Sequence, residues 1–410
     1  MDPSSGQRLK NKGTDERSTL TANGRVVLRR RRWRRVGVGA VAVVPVDSLL
    51  DAAEATVSLG TRELCCRLNG DGTSFRRTAD NLKHAAGLPL SAELLRQVVE
   101  AEGKQVQRAS DAGDLTPGWR ASDCKVRRPD GKEVSRVYAS MDGFMAPTVT
   151  DAEKRARRTQ VVAARRARRR RRNREQPKPP PLPPRKRGSD RRYKEFKLVQ
   201  FHDQTMARRL IAVTRKPCGE AGRLLRRDAG RIGFHEADER LGLVDAAGWI
   251  VNQFTRQCIL LTLLVLDFFH LGTHVNTGKR ATFGEASAEG ERWARDVMHT
   301  VKHDGYAPFW DRLLHWRSAQ RSKPKRAEAD ALLHYASAHR AMIRYDECAR
   351  NGWRIGSGPT ESECSAVPDR VKGPGKRWDA DNAEAVMALE AMRQSDQWNA
   401  YWASRLCGSN

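Results

Sequence analysis

Three acidic residues, Asp142, Asp245 and Glu361, combine the chemistry and the predicted positions of a metal site. Asp142 ends the predicted strand SRVYASMDGF, Asp245 ends a strand in LGLVD, and Glu361 opens a helix after the turn GSGP. Strand ends are rigid enough to bring carboxylates together, although two charges 4 Å apart repel by about 4 kcal/mol at an effective dielectric near 20. Divalent cations remove this repulsion, and carboxylate oxygens favour Mg²⁺ or Mn²⁺. We therefore hypothesise that the three acids hold two such ions, which can clamp the attacking and leaving oxygens of a phosphodiester.

The residues around Glu361 also have a simpler explanation. Ser357, Gly358 and Pro359 are typical of a helix start, and a helix N-terminus favours a negative charge without any catalysis. Taken singly, an acid at such a place is more often a surface or capping residue. Glu363 would project about 200° away from Glu361 around a helix, so the two acids are not interchangeable.

The charge of the chain predicts a polyanionic partner. Lys and Arg number 76 against 49 acids, which gives a net charge of +27. Nucleic acid is the expected partner, because phosphate neutralisation dominates such binding. The longest apolar run, Ile259 to Phe269, is too short to span a bilayer and contains Asp267, so we expect a buried strand there and no membrane partner. The scattered cysteines, without a C-x-x-C pair, fit a cytoplasmic protein.

The N-terminal third predicts three regions. Residues 1–25 are polar and rich in Gly and Ser, and we expect disorder. Residues 26–60 combine a basic cluster with β-branched residues and predict strands. Residues 61–130 predict helices, two of which are joined by AGLP, with Ser91 as the N-cap of the second. This pair has the pattern of a helix-turn-helix, and an ordinary helical hairpin explains it equally well. In the first case, four basic side chains face DNA phosphates: Arg76, Arg77, Lys83 and Arg96.

Residues 151–190 form a block of Arg and Pro with almost no large apolar residues. Its first half could be a basic helix and its second half a polyproline spacer, and we expect an exposed loop. Arg169, Arg170 and Arg171 would then hold phosphates without sequence preference. A solvated linker and a localisation signal are the alternatives.

The remaining residues predict an α/β core with a mixed sheet. Residues 131–150 and 191–270 read as three strands, then helix, strand, helix and strand. Residues 271–350 are helical and amphipathic. Residues 351–410 contain the Glu361 helix and further C-terminal helices.

Four motifs occur in the order found in insertion-sequence transposases of the ISKra group, within the Mutator-like superfamily, and the resemblance covers roughly residues 60–405. VYASMDGF resembles the segment with the first catalytic Asp and matches it to Asp142. LVDAAGWIVNQF resembles the segment with the second catalytic Asp, which corresponds to Asp245 here. LDFFH resembles the D-x-x-H signature, at Asp267 and His270. The turn Ile-Gly-Ser-Gly precedes the family's catalytic Glu, here Glu361, and is followed by a basic segment, Arg-Trp and the tail SDQWNAYW.

The resemblance implies a ribonuclease H-like mixed sheet with an all-helical insertion, preceded by a small helical domain. It also implies metal-dependent cleavage at transposon ends and strand transfer by the freed 3′-OH. Asp142 and Asp245 would bridge two Mg²⁺ or Mn²⁺ ions, and Glu361 would hold one of them. The expected partner is double-stranded DNA at the ends and the target, bound by a homo-oligomer on the nucleoid in the cytoplasm.

Five further residues carry weaker expectations. Asp267, His270 and Trp249 are expected beside the site, although a structural hydrogen bond explains His270 and packing explains Trp249. Arg377, in the Arg-Trp match, is expected to bind DNA. Pro368 stands where the catalytic helix should continue, and proline inside a helix costs about 3 kcal/mol.

Other departures from the family's pattern favour an alternative. The N-terminal basic strand lacks the Cys pairs usual in the family, and Val244 and Ala246 stand where it prefers Gly on either side of the second acid. A decayed or repurposed transposase that binds DNA without catalysis is therefore the second hypothesis. An RNA-binding basic protein is a third, favoured only by the Arg/Pro block.

Overall fold

The computed structural model describes residues 8–35, 42–44, 56–170, 180–257 and 259–407. The chain divides into two compact units, each built from separate stretches of sequence. Unit 1 contains Met1–Leu115, Pro147–Arg192 and Asp369–Asn410, and unit 2 contains Thr116–Ala146 and Tyr193–Pro368. The Glu361 helix and the helices after it, grouped together from the sequence, thus belong to different units.

Unit 1 begins with a three-stranded antiparallel sheet of β1 (Leu9–Thr21), β2 (Gly24–Arg35) and β3 (Ala42–Val43). Elements are numbered in chain order throughout. Ala22 and Asn23 form the turn of the first hairpin, and Gly24, which pairs with Thr21, follows it with a positive φ of 107°. The expectation of disorder over residues 1–25 is wrong for Leu9–Thr21, because cross-strand pairing orders this polar segment. Arg30, for example, is buried and donates to Asp15 at 2.6 Å.

The helices of unit 1 are α1 (Leu59–Gly70), α2 (Phe75–Ala86), α3 (Ala92–Ala112), α4 (Asp151–Arg170), α13 (Ala380–Gln394) and α14 (Trp398–Cys407). The predicted helix pair is confirmed: Ser74 and Ser91 cap the two helices, and Gly87 ends the first in a left-handed conformation.

The Arg/Pro block is more ordered than the sequence suggests. Its first part is α4, which buries none of its residues, so the predicted basic helix is confirmed and the loop is wrong for 151–170. Arg158 and Arg165 donate hydrogen bonds, each at 2.7 Å, to the backbone carbonyls of Pro183 and Pro180. These bonds hold the returning proline segment along the helix.

Unit 2 contains a six-stranded sheet of β4 (Lys125–Arg127), β5 (Glu133–Pro147), β6 (Tyr193–Asp203), β7 (Arg209–Thr214), β8 (Glu239–Val244) and β9 (Leu263–Leu266). The main order is β7-β6-β5-β8-β9, with β4 paired to β5. β6 and β7 are antiparallel, whereas β5, β8 and β9 are parallel. The predicted α/β fold with a mixed sheet is confirmed.

The helices of unit 2 are α5 (Cys218–Arg231), α6 (Gly248–Arg256), α7 (Phe268–Phe283), α8 (Ala288–His303), α9 (Tyr306–Ser318), α10 (Lys323–Ala338), α11 (Tyr345–Asn351) and α12 (Gly358–Ala366). The segment between α7 and α11 is helical as predicted, around the buried side chains of Phe309, Leu313 and Trp316. α12 ends before Pro368, so the proline does not interrupt it. Among the described helices, none has both the length and the apolarity to cross a membrane.

Two helices of unit 1, α3 and α13, approach each other closely at Gly103. A Cβ atom at Gly103 would lie 2.5 Å from the carbonyl oxygen of Ala385 and 2.8 Å from its carbonyl carbon. Backbone atoms in a packed helix cannot move aside as a flexible side chain can. Glycine is therefore needed at this position despite its low helix propensity.

We predict that Gly103→Ala lowers the stability of the fold by about 1–3 kcal/mol, because overpacking outweighs the gain in helix propensity. The measurement is the thermal unfolding midpoint, followed by circular dichroism. Gly60→Ala in α1 is the matched control, since no atom outside its immediate surroundings lies within 4 Å of a Cβ there. An equal rise in midpoint for both variants would show that the close approach is not present.

Candidate active site

The register of the sheet places Asp142 and Asp245 at the same level of neighbouring strands. β5 and β8 run parallel, and their last aligned pair is Ser140 with Leu243. Asp142 and Asp245 each follow two residues later. The sequence expectation that Asp142 ends its strand is wrong, because β5 continues to Pro147. Asp245 does follow the last residue of β8, as predicted.

One face of β5 holds the segment that leads to Glu361. Arg136, Tyr138 and Ser140 alternate along the strand, and each is at most 1% exposed. Alternate residues of a strand share a face, so Asp142 continues this row. Arg136 donates hydrogen bonds, each at 2.8 Å, to two backbone carbonyls at the C-terminal end of α11.

The next two members of the row fix the turn and the helix beyond it. The hydroxyl of Tyr138 accepts a hydrogen bond from the backbone N–H of Arg354 at 3.0 Å. The hydroxyls of Ser140 and Thr360 lie 2.5 Å apart, and both side chains are buried. Thr360 precedes Glu361 in α12. The strand that carries Asp142 therefore also positions the helix that carries Glu361.

Glu361 lies in the first turn of α12 and is exposed. The hydroxyl of Ser357 lies 3.2 Å from Oε1 of Glu361 and 2.9 Å from Oδ2 of Asp267. A hydroxyl has one proton, so these two carboxylates share a single donor. Glu363 instead is buried and ion-paired with Arg209 at 2.8 Å, which agrees with the expectation that the two glutamates differ.

Asp267 explains the D-x-x-H spacing through helix capping. It is the N-cap of α7, and its Oδ1 accepts the backbone N–H of His270. Its Oδ2 accepts both the backbone N–H and the hydroxyl of Ser357. Asp267 is 1% exposed, and through these hydrogen bonds it connects the end of β9 to the turn before Glu361.

The His270 ring belongs to an aromatic cluster on α7 and α10. Its centroid lies 5.5 Å from that of His274, which stacks on Tyr335 at 3.7 Å. The buried hydroxyl of Tyr335 has no hydrogen-bond partner among the described residues. Burial raises the pKa of Tyr335, and the charges of Asp245 and Asp267 add to this rise. Sequence reasoning missed Tyr335, because nothing in its local pattern distinguishes it from a core residue.

The three predicted acids interact electrostatically. Burial raises the pKa of Asp142, and the charges of Asp245 and Glu361 raise it further. The Gly143 N–H, which donates at 2.6 Å, and the thiol of Cys364 oppose this rise. The charges of Asp245 and Glu361 thus both act on Asp142.

No described Lys, Arg or His forms an ion pair with Asp142, Asp245 or Glu361. This is unusual in a chain with a net charge of +27. Carboxylate oxygens are the donor set that Mg²⁺ and Mn²⁺ prefer, so the residue types fit such ions. As their side chains stand, no three described His, Cys, Asp or Glu residues form a group that could hold a metal ion.

The turn after Asp245 is strained. Ala246 has a φ of 65°, in the left-handed region that favours glycine. This conformation lets Oδ1 of Asp245 accept the backbone N–H of Ala247 at 2.8 Å. For an L-residue such as Ala246 this conformation costs of order 1 kcal/mol.

The ring of Trp249 lies near Gly143, the residue after Asp142. A Cβ atom at Gly143 would lie 3.7 Å from the Trp249 ring and 3.0 Å from Oε1 of Glu195. The ammonium of Lys197 is 5.9 Å from the same ring and 2.9 Å from Glu195. Lys197 and Glu195 were not predicted, although a Lys in the alternating strand YKEFKLVQF is a signal that could have identified them.

The predicted DNA-binding residues that are described all belong to unit 1. Arg96 is held by both Glu93 and Glu100, at 2.6 Å each, and Arg377 pairs with Glu153. These partners reduce their availability for phosphates. Arg377 is nevertheless exposed, as are Arg76, Arg77, Lys83, Arg169 and Arg170. Arg171 lies outside the described residues.

Comparison with protein-family models and with curated proteins finds no match for this chain. A function must therefore be inferred from the residues themselves.

We predict that the Ser140–Thr360 pair behaves as a coupled unit. Ser140→Ala or Thr360→Val alone should lower stability by about 1–3 kcal/mol, because each leaves a buried hydroxyl without its partner. The double variant should lose less than the sum of the two single losses. Urea denaturation of the four proteins measures this coupling, and strictly additive losses would contradict it.

We also predict that Asp142→Asn stabilises the metal-free fold at neutral pH. When folding raises the pKa of a carboxyl, the folded protein becomes less stable as the pH rises from the usual pKa of that group, about 4, through the raised value. The variant lacks this loss. Its advantage in thermal midpoint, measured in EDTA, should therefore grow between acidic and neutral pH. An advantage that is constant with pH would mean that the Asp142 charge is not destabilised.

Proposed function

We propose that this protein is a DNA transposase that catalyses metal-dependent strand cleavage and strand transfer at the ends of an insertion sequence. The observation that carries the proposal is the group of Asp142, Asp245 and Glu361. Burial raises the pKa of Asp142, the charges of Asp245 and Glu361 raise it further, and none of the three acids has a cationic partner among the described residues. Such a group is costly to keep unless it serves a cation.

Mg²⁺ or Mn²⁺, when bound, would supply Lewis-acid activation at the phosphodiester and a water or 3′-hydroxyl of lowered pKa. Asp142 and Asp245, held level on rigid neighbouring strands, would provide the fixed carboxylates. Glu361, exposed in the first turn of α12, would complete the donor set. Asp267 and Ser357 would orient Glu361 through their shared hydrogen bonds.

The element order of unit 2 supports a ribonuclease H-like core. β5, β6 and β7 are followed by α5, β8, α6 and β9, and the helical segment from α7 to α11 precedes the helix of the third acid. This is the order expected from the motif resemblance. Such a core would bring together acids that are more than 200 residues apart in sequence, as Asp142 and Glu361 are.

Double-stranded DNA is the proposed partner. The net charge of +27 favours a polyanion, and exposed arginines and lysines of α2 and α4 belong to unit 1. Pairing of two transposon ends in one complex would require a homo-oligomer. On this proposal, the protein acts on the nucleoid in the cytoplasm.

A transposase-derived protein that binds DNA without catalysis is the second candidate. The strained turn at Ala246, where the resembling family prefers glycine, favours it. The arrangement of the three acids favours this candidate as well, because no three described His, Cys, Asp or Glu residues form a group that could hold a metal ion.

We predict that Asp142→Asn, Asp245→Asn and Glu361→Gln each abolish Mg²⁺-dependent cleavage of the element's own end DNA. Losing a metal ligand should slow the reaction by roughly a hundredfold or more, because the transition-state charge is no longer stabilised. The measurement is the single-turnover cleavage rate on a labelled end substrate.

Glu285→Gln is the matched control, since Glu285 is an exposed acid in the helical segment of the same unit. It should cleave like the parent. Cleavage by Glu361→Gln at the parental rate would exclude the assigned site. If the parent binds end DNA but never cleaves it with Mg²⁺ or Mn²⁺, the second candidate is correct.

A further inference from the structure

Unit 1 contains a solvent-open cavity of about 480 Å³, separate from the predicted catalytic acids in sequence and in unit. Its wall carries six basic side chains and two acidic ones, together with the rings of Phe75 and Trp378. The basic residues are Arg96, Lys154, Arg157, Arg370, Lys376 and Arg377. The cavity therefore combines positive charge with aromatic surface.

Several of these charges are already balanced. The two acids of the wall, Glu100 and Asp379, pair with Arg96 and Lys154 respectively. Arg377 pairs with Glu153, which lies outside the wall. Among the described residues, the remaining three basic side chains of the wall form no ion pair: Arg157, Arg370 and Lys376.

Arg370 is the most unusual of the three, because it is only 4% exposed and forms no ion pair in the described part of the chain. Its guanidinium hydrogen-bonds Oδ1 of Asn69, at 3.1 and 3.3 Å. It also lies over the rings of Phe75 and Trp378, 4.6 and 5.4 Å from their centroids. Burial lowers the pKa of Arg370 to about 10, an effect that Asp369 partly opposes.

Lys376 adds a second cation to the same wall. Its ammonium donates to the backbone carbonyl of Arg370 at 3.3 Å, so the two charged side chains belong to one local structure. Burial lowers the pKa of Lys376, and the charge of Arg370 lowers it further. Two neighbouring cations that repel each other, one of them buried, are stabilised when an anion binds.

The backbone of the wall also favours an anion. α2 begins at Phe75 and α13 begins at Ala380, and residues at both starts line the cavity. Helix N-termini present unpaired N–H groups and a partial positive charge, to which phosphate groups bind. The cations and the two helix starts therefore favour an anion, and the rings beside them provide an apolar surface in the same cavity.

We propose that this cavity binds a phosphate group of a nucleic-acid strand, with Arg370 and Lys376 as its principal contacts. The site adds a defined phosphate contact to the diffuse positive charge of the chain. It does not depend on strand-transfer chemistry, so a catalytically inactive protein would bind in the same way. Neither Arg370 nor Lys376 is among the residues expected from the sequence to contact DNA.

The test is DNA binding by the full-length chain and by Lys376→Gln, measured by fluorescence anisotropy with a short labelled duplex across a salt series. We expect the variant to bind roughly five- to tenfold more weakly, because one charge-assisted phosphate contact is lost. The slope of log K against log salt should fall in magnitude by about 0.9. Arg370→Lys, which keeps the charge but loses the planar fork, should also weaken binding.

Arg108→Gln is the matched control, since Arg108 is an exposed basic residue of α3 that does not line the cavity. It should retain the parental affinity and slope. If Lys376→Gln binds DNA no differently from Arg108→Gln, the proposal is wrong, whether or not Arg370→Lys folds.

Inorganic phosphate distinguishes the source of the phosphate group. At constant ionic strength, it should compete with DNA more strongly in the parent than in Lys376→Gln. If phosphate raises the thermal midpoint of the parent alone while both proteins bind DNA equally, the cavity takes a small free phosphate. That result would overturn the assignment to a nucleic-acid strand.

Discussion

The buried row of hydrogen bonds along one face of β5 is the constraint on which the candidate site depends. Arg136, Tyr138 and Ser140 bond to residues from the end of α11 to the first turn of α12, so this strand helps to set where Glu361 lies. Buried polar groups are costly when unpaired, and this makes the arrangement specific as well as stable. Asp142 is the next residue of this row, so the same strand also fixes its backbone position.

Charge is distributed unevenly in the molecule. Within unit 2, the three carboxylates lack a basic partner among the described residues, although the chain as a whole is strongly cationic. Within unit 1, Arg370 is a buried cation that forms no ion pair among the described residues. Each group is unfavourable in isolation and becomes favourable when a ligand of opposite charge binds. Uncompensated charge of this kind is a common feature of functional sites.

Some residues that the sequence suggested for catalysis or DNA binding make structural contacts instead. Conversely, a residue without a predicted role lines a basic cavity. The D-x-x-H motif follows the spacing of a helix N-cap and its third residue, which accounts for Asp267 and the backbone of His270 without catalysis. Arg96, expected to contact DNA, is occupied by two glutamates. The sequence predicted no role for Arg370, yet this residue is buried in the wall of a basic cavity.

The sequence by itself determined the periodic and local features: the strands and helices of the mixed sheet, the capping serines and the end of α12 before Pro368. Hydrophobic periodicity and turn chemistry are local, so they can be read from short windows. It also indicated the three acids as candidates from the predicted ends of their elements, although β5 in fact continues past Asp142 to Pro147. Only the tertiary structure decided the ordered β1–β2 hairpin, the row on β5 and the partners of Arg370. Those features depend on pairings between residues far apart in the chain, and a polar side chain's role is set by the partner that folding brings to it.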